Sequence, residues 1–198
     1  MAYRVQPLLS ADRIAERVGE LGVEITRDYS GRNLVLVGVL KGSFVFAADL
    51  MRAIDLPMQV DFLGVRSYGE GTVASGVVQI TQDLSHPIEQ ADILLVEDII
   101  DTGLTVAHLM KLLATRSPAS VAVCALLHKP ARARVASQID YLGFTVEDRF
   151  LVGYGLDFAE RYRNLPYIGV LDEASQGAEE ENLTARTPKT SGLEPPKS

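Results

Sequence analysis

Within the short span Glu97 to Thr105 the chain carries three carboxylates (Glu97, Asp98, Asp101), two hydroxyls (Thr102, Thr105) and a glycine, Gly103. Acids suit sugar hydroxyls, either directly or through a divalent cation. Hydroxyls and backbone amides suit phosphate. If a helix starts at Thr102-Gly103-Leu104-Thr105, its free N–H groups and positive dipole end favour an anion there. Gly103 would let the backbone come close to it. A phosphate beside three acids is repelled unless the acids grip sugar hydroxyls or Mg²⁺, and a phosphorylated ribose meets that condition. The plainer alternative is a solvated strand-to-helix loop with a capping Asp or Thr. Any one of these residues fits that reading; all of them together, directly behind an apolar run, favour a ligand site.

The elements that would position this motif follow from hydrophobic pattern. Ile93 to Val96 reads as a buried strand that ends at Glu97 and Asp98, with a helix from about Thr102 to Ala114 behind it. Ile14, Val18, Leu21 and Ile25 recur at helical spacing after Ser10, and Gly31-Arg32-Asn33 closes that helix. Leu34 to Leu40 is a continuous apolar run, hence a buried strand, followed by a helix over Phe44 to Ile54. Further strands are expected at Val60 to Val65, Val77 to Thr81, Val121 to Leu127, near Tyr141, at Phe150 to Gly153 and at Ile168 to Leu171. Residues 66–76 are rich in Gly, Ser and Thr and read as a mobile loop. Strands alternating with helices predict an α/β fold with a mainly parallel sheet flanked by helices. Ligands of such sheets bind outside the carboxyl ends of the strands, where the motif falls.

Two further segments end strands at the same edge. Leu40-Lys41-Gly42-Ser43 opens a helix and offers a second backbone-lined anion site, with Lys41 adding charge. Lys129 follows the strand Val121 to Leu127. Taken alone, each reads equally as an ordinary turn with a solvated lysine.

The wording Val-Glu-Asp-Ile-Ile-Asp-Thr-Gly resembles the phosphoribosyl-diphosphate-binding motif of the phosphoribosyltransferases, and is nearest to their hypoxanthine-guanine branch. The resemblance covers roughly residues 8–172. It extends in the family's order to Leu40-Lys41-Gly42-Ser43, Arg66-Ser67-Tyr68, Lys129-Pro130 and Phe150-Leu151-Val152-Gly153-Tyr154 through Asp157. It implies the type I phosphoribosyltransferase fold over residues 1–173, with a small hood over the purine site built from the N-terminal segment and about 150–172.

The resemblance also implies roles. Asp101 is the expected general base. Glu97, Asp98, Thr102, Gly103, Leu104 and Thr105 hold ribose and phosphate, although at Leu104 some relatives carry Lys. Lys41, Gly42 and Arg163 contact pyrophosphate, in a loop that often contains a non-proline cis peptide, here Leu40–Lys41 or Lys41–Gly42. Lys129 donates to the 6-oxo group of the purine, Phe150 stacks on its ring, the backbone of Leu151 reads its edge, and Asp157 lies near its 2-position. Glu97, Asp98 and Asp157 are the candidate Mg²⁺ ligands. Ser67 and Tyr68 belong to a lid that closes over the reacting centre. The expected substrates are phosphoribosyl diphosphate and a 6-oxopurine, hypoxanthine or guanine, and the expected assembly is a homodimer or homotetramer. The nearest alternatives are a xanthine-preferring member and a nucleotide-binding regulator on the same fold. Asp101, Lys129 and the acidic balance argue against the regulator.

With 198 residues, nearly half of them hydrophobic, the chain has the material for one domain with a substantial core. A net charge of −7 speaks against a nucleic-acid partner. An acidic protein that binds an anionic substrate must gather its positive charge locally or use a metal. The single cysteine, Cys124, sits in an apolar strand run and suits a reducing compartment. His86, His108 and His128 show no metal-ligand spacing with it. No signal peptide or membrane span is evident, so a cytoplasmic, membrane-free protein is expected. From Asp172 on, six acids face three bases among Ser, Thr, Gly and Pro, and residues 174–198 are expected to form a disordered acidic tail.

Overall fold

The computed structural model describes residues 3–67, 78–136 and 138–173. In chain order the elements are β1 (Tyr3–Leu9), α1 (Ala11–Asp28), β2 (Leu34–Leu40), α2 (Phe44–Ala53), β3 (Gln59–Ser67), β4 (Val78–Gln82), β5 (Asp92–Ile100), α3 (Leu104–Ala114), β6 (Ser120–His128), β7 (Tyr141–Thr145), β8 (Leu151–Val152) and β9 (Ile168–Glu173). A single 3₁₀ turn, Pro130–Arg132, follows β6.

The helical repeat in α1 is buried as its spacing requires: Ile14, Val18, Leu21 and Ile25 all face the core. The Ser10 hydroxyl accepts from Arg13 N at 3.3 Å and caps the helix start. The apolar runs of β2 and β5 lie side by side at the centre of a six-stranded sheet of order β4-β3-β2-β5-β6-β7. Every neighbouring pair in it is parallel except β3 with β4. Alternation along the strands divides the core. Leu36, Leu94 and Val96 pack with α1 and α2 on one face. Val35, Val37, Ile93 and Leu95 pack with Leu109 and Leu113 of α3 on the other. With helices on both faces of a mainly parallel sheet, this is the α/β architecture expected.

The strand order reverses between β2 and β5, since β3 lies to one side of β2 and β6 to the far side of β5. Ligands of open α/β sheets bind at such a switch point. The turns that leave it are Lys41–Ser43 and Asp101–Gly103, the two anion-binding candidates.

Three differences from the pattern-based expectation bear on the site. β5 runs to Ile100 instead of stopping at Val96, because its pairing with β6 continues through Glu97↔Ala125, Ile99↔Leu127 and Ile100↔His128. The two acids are therefore borne on the strand and not on a loop. α3 begins at Leu104, leaving Thr102 and Gly103 in the turn. Tyr3–Leu9, for which no strand is expected from pattern, forms β1 and pairs antiparallel with β9, which pairs in turn with β8. This second, three-stranded sheet has the order β1-β9-β8 and joins the N-terminal segment to the chain beyond residue 150. The expected lid falls mostly outside the described residues: Tyr68 is beyond them, and of Ser67 only the backbone is described, at the end of β3. The expected tail, 174–198, is likewise outside them.

Candidate active site

A cleft of about 320 Å³ opens at the switch point and is lined by Lys41, Gly42, Asp98, Ile99, Asp101, Lys129, Phe150, Leu151, Leu156, Asp157 and Arg163. Residues drawn from four separate stretches of sequence thus meet in one place. Among the expected site residues, Glu97 and the turn Thr102, Gly103, Leu104 and Thr105 do not line it. Consecutive side chains on a strand point to opposite faces, so β5 presents Asp98 to the cleft and turns Glu97 away. Glu97 is only 5% exposed.

The electrostatics of this pair follow from burial. Removal from water holds the Glu97 carboxyl well above the usual carboxylate range, and the neighbouring Asp98 adds to the effect. Burial likewise pushes Asp98 up to about 6, and Asp157 contributes in the same direction. The backbone amide of Ile99, donating to Asp98 Oδ1 at 2.9 Å, and the Arg163 guanidinium oppose it. Asp98 and Asp157 line one cleft, and the charge of Asp157 makes Asp98 harder to ionise, a conflict that a divalent cation relieves. Among the described residues no three His, Cys, Asp or Glu side chains gather into a cage. Mg²⁺ needs none: it binds through one or two carboxylates and fills its remaining positions with substrate oxygens and water. Asp98 and Asp157 fit that demand, and Glu97 does so less well.

The turn after β2 is locked against the same carboxylate. A Cβ on Gly42 would overlap the Asp98 carboxylate, and one on Gly155 would overlap the Gly42 carbonyl oxygen. Only a glycine fits at residue 42, between an acid on β5 and the backbone beyond β8. The Leu40–Lys41 peptide is cis, one of the two candidates in the expected loop. Lys41 Nζ pairs with Glu160 at 3.0 Å. Arg163 bonds the Asp157 carboxylate at 2.7 Å and the Gly155 carbonyl at 2.8 Å, and lies 3.4 Å from Glu160. Two cations and a tight backbone turn therefore converge on one end of the cleft.

At the motif turn, Gly103 has φ +80°, a left-handed conformation that favours glycine, and it serves as the N-cap of α3. A glycine cap has no side chain to satisfy the first amides of the helix. Apart from Leu104 N, those donors stay available to an anion. Thr102 Oγ1 accepts from Leu104 N at 3.4 Å, and Thr105 lies in the first turn.

The far end of the cleft combines one buried cation with an open aromatic. Lys129 is 6% exposed, and its Nζ donates to the Arg149 carbonyl at 2.7 Å. Phe150 is 53% exposed, although a phenylalanine after charged residues reads most simply as core. Its ring is held edge-on by Phe158 at 5.5 Å, and Phe158 by Tyr3 at 4.9 Å. Leu151, by contrast, is buried and presents mainly backbone. Pattern reading did not single out Ile99, Leu156, Gly155 or Glu160. Only the Gly-Tyr-Gly spacing of residues 153–155 hinted at a tight turn there.

The phosphoribosyl transferase domain model matches residues 5–159, and the chain belongs to that family. It is 48% identical over 167 residues to the hypoxanthine-guanine phosphoribosyltransferase of Bacillus subtilis, covering 84% of this chain and 93% of that one. It is 52% identical over 164 residues to the bifunctional protein TilS/HprT of Listeria innocua; the match takes in 83% of this chain but only 25% of the length of that relative. Among solved structures, a hypoxanthine phosphoribosyltransferase from Staphylococcus aureus superposes with a TM-score of 0.82 at 45% identity, covering 84% of this chain and 91% of that one.

Proposed function

We propose that the protein transfers the 5-phosphoribosyl group from phosphoribosyl diphosphate to hypoxanthine or guanine, giving IMP or GMP and pyrophosphate in a purine-salvage reaction. The observation that carries this reading is the single cleft joining Asp101, the buried Lys129 and the open ring of Phe150 to Lys41, Gly42 and Arg163. Relatives named for this activity match the chain over most of its length.

A purine stacks on Phe150 and receives a hydrogen bond at its 6-oxygen from Lys129. Lysine can donate and cannot accept, so it favours a 6-oxo over a 6-amino base. Asp98, the Thr102–Thr105 turn and the Lys41–Gly42 turn hold the ribose, its 5-phosphate and the diphosphate. The purine nitrogen attacks C1′ as the bond to pyrophosphate breaks, through an oxocarbenium-like transition state by analogy with glycosyl transfer. Asp101 takes the N7 proton, which keeps the purine from accumulating positive charge. Asp98 and Asp157 would hold Mg²⁺, with Glu97 buried behind them, and the ion would offset charge on the diphosphate. Holding both substrates in line supplies much of the rate. Ser67 and Tyr68 close the centre against water. The small β1-β9-β8 sheet acts as the hood, and the protein works in the cytoplasm as a homo-oligomer.

The test is an absorbance assay with phosphoribosyl diphosphate, Mg²⁺ and each of hypoxanthine, guanine, xanthine and adenine. Turnover of hypoxanthine or guanine but not adenine is expected. Turnover of adenine alone, or of no base, would overturn the reading. Asp101→Asn should lower turnover about 10²–10⁴-fold, and near-normal turnover in that variant would remove Asp101 from the role of base.

A further inference from the structure

The segment after β6 is fastened to the motif turn by backbone bonds at both ends. Lys129 N donates to the Ile100 carbonyl at 2.9 Å, and Arg134 N to that of Thr102 at 3.0 Å. Between them the 3₁₀ turn carries Arg132 to the edge of the cleft. Its Nε lies 3.0 Å from Asp101 Oδ1, and its Nη1 lies 3.5 Å from Asp148 Oδ1. Asp148 is in turn 3.9 Å from Lys129 Nζ. Opposite charges therefore alternate along Asp101, Arg132, Asp148 and Lys129. The two ends of that row are the groups that would meet N7 and the 6-oxygen of one purine ring.

The contact at Asp101 is an ion pair and not an aligned hydrogen bond. Oδ1 is sealed from solvent and accepts no bond among the described residues, yet the side chain as a whole is 36% exposed. Arg132 thus covers one oxygen and leaves Oδ2 as the one able to face the cleft.

We propose that Arg132 is a positioning residue: it pins Asp101 by Oδ1 so that Oδ2 takes the purine proton, and with Asp148 it fixes the spacing between Asp101 and Lys129. This rests on the reading of Asp101 as the base. A guanidinium can serve two carboxylates at once because its donors lie in a rigid plane, whereas an ammonium is a point charge on a flexible stem.

The experiment measures steady-state turnover with hypoxanthine for Arg132→Gln, Arg132→Lys, Asp148→Asn, Asp101→Asn and the double variant Asp101→Asn/Arg132→Gln. Arg132→Gln should lower kcat by up to about 10²-fold, the scale of misplacing a group by an ångström, while KM for phosphoribosyl diphosphate is nearly unchanged. Arg132→Lys should recover part of that loss. Asp148→Asn should raise KM for the base. The double variant should be no slower than Asp101→Asn alone, because a residue acting through Asp101 has nothing left to position. Multiplying losses in the double variant, or a raised KM for phosphoribosyl diphosphate with normal kcat, would overturn the proposal. Normal kinetics in Arg132→Gln beside a slow Asp101→Asn would overturn it while sparing the assignment of the base. A fast Asp101→Asn would remove the base itself.

Discussion

Asp98 carries a cost that the protein bears without its ligands. Burial pushes the Asp98 carboxyl up to about 6 in the folded chain, above the 3.8 of an ordinary aspartate, which stands for the unfolded chain. Between roughly those two pH values the folded chain binds more protons than the unfolded one. Stability therefore falls as pH rises through that window, and the penalty is fully present above it. The metal-free protein should be stabilised at neutral pH by Asp98→Asn, by up to about 3 kcal/mol, and the gain should vanish towards pH 4. Thermal melts of both forms across that range, without divalent cations, check this; a gain independent of pH would show that packing, not charge, is responsible. Asp101, Lys129 and Phe150 could be found in the sequence because they sit in contiguous words with a recognisable order. Arg132, Asp148 and Glu160 could not, since a charged residue on a loop has the same local pattern whether it faces solvent or a partner on another strand.

At the scale of elements, the site depends on two strands ending side by side, with turns too tight for side chains. Gly42→Ala would drive a Cβ into the Asp98 carboxylate. Either the turn or the acid must move, and overpacking of this kind costs typically about 1–3 kcal/mol. Kcat/KM should fall by more than the loss of stability accounts for, because the turn also carries Lys41. Urea unfolding and kinetics on the same sample separate the two. A variant with unchanged kcat/KM would mean that the turn tolerates displacement. The continuous apolar runs made β2 and β5 legible. The extension of β5 through Glu97 to Ile100 was not, because pairing with β6 overrides the local preference of acids for loops. β1 was hidden for another reason: it is an edge strand containing Arg4, Gln6 and Pro7, and its partner β9 lies at the other end of the domain.

Across the whole molecule, the two sheets divide the labour. The six-stranded sheet carries Asp98 and the anion turns, whereas the small sheet carries the chain that bears Phe150. Tyr3, Phe158 and Phe150 form a row of edge-on rings that links the first described residue to the end of the cleft proposed to take the purine. Tyr3→Ala should therefore raise KM for the base several-fold, in keeping with an aromatic pair worth about 0.5–1.5 kcal/mol, and leave KM for phosphoribosyl diphosphate nearly unchanged. Equal rises in both constants would show that the N-terminal strand supports the domain at large and not the purine end. Among the described residues no helix is long and apolar enough to cross a membrane.

The close approach of Gly42 to Asp98 would make two binding events one thermodynamic system. The turn that would receive pyrophosphate rests on the carboxylate that would receive a cation, so neither can shift without the other. If a cation drawn to Asp98 settles the turn and thereby tightens pyrophosphate by some factor, pyrophosphate must tighten the cation by the same factor. Each ligand would then hold the other in place, and the strength of that coupling would depend on the absence of a single methyl group at residue 42.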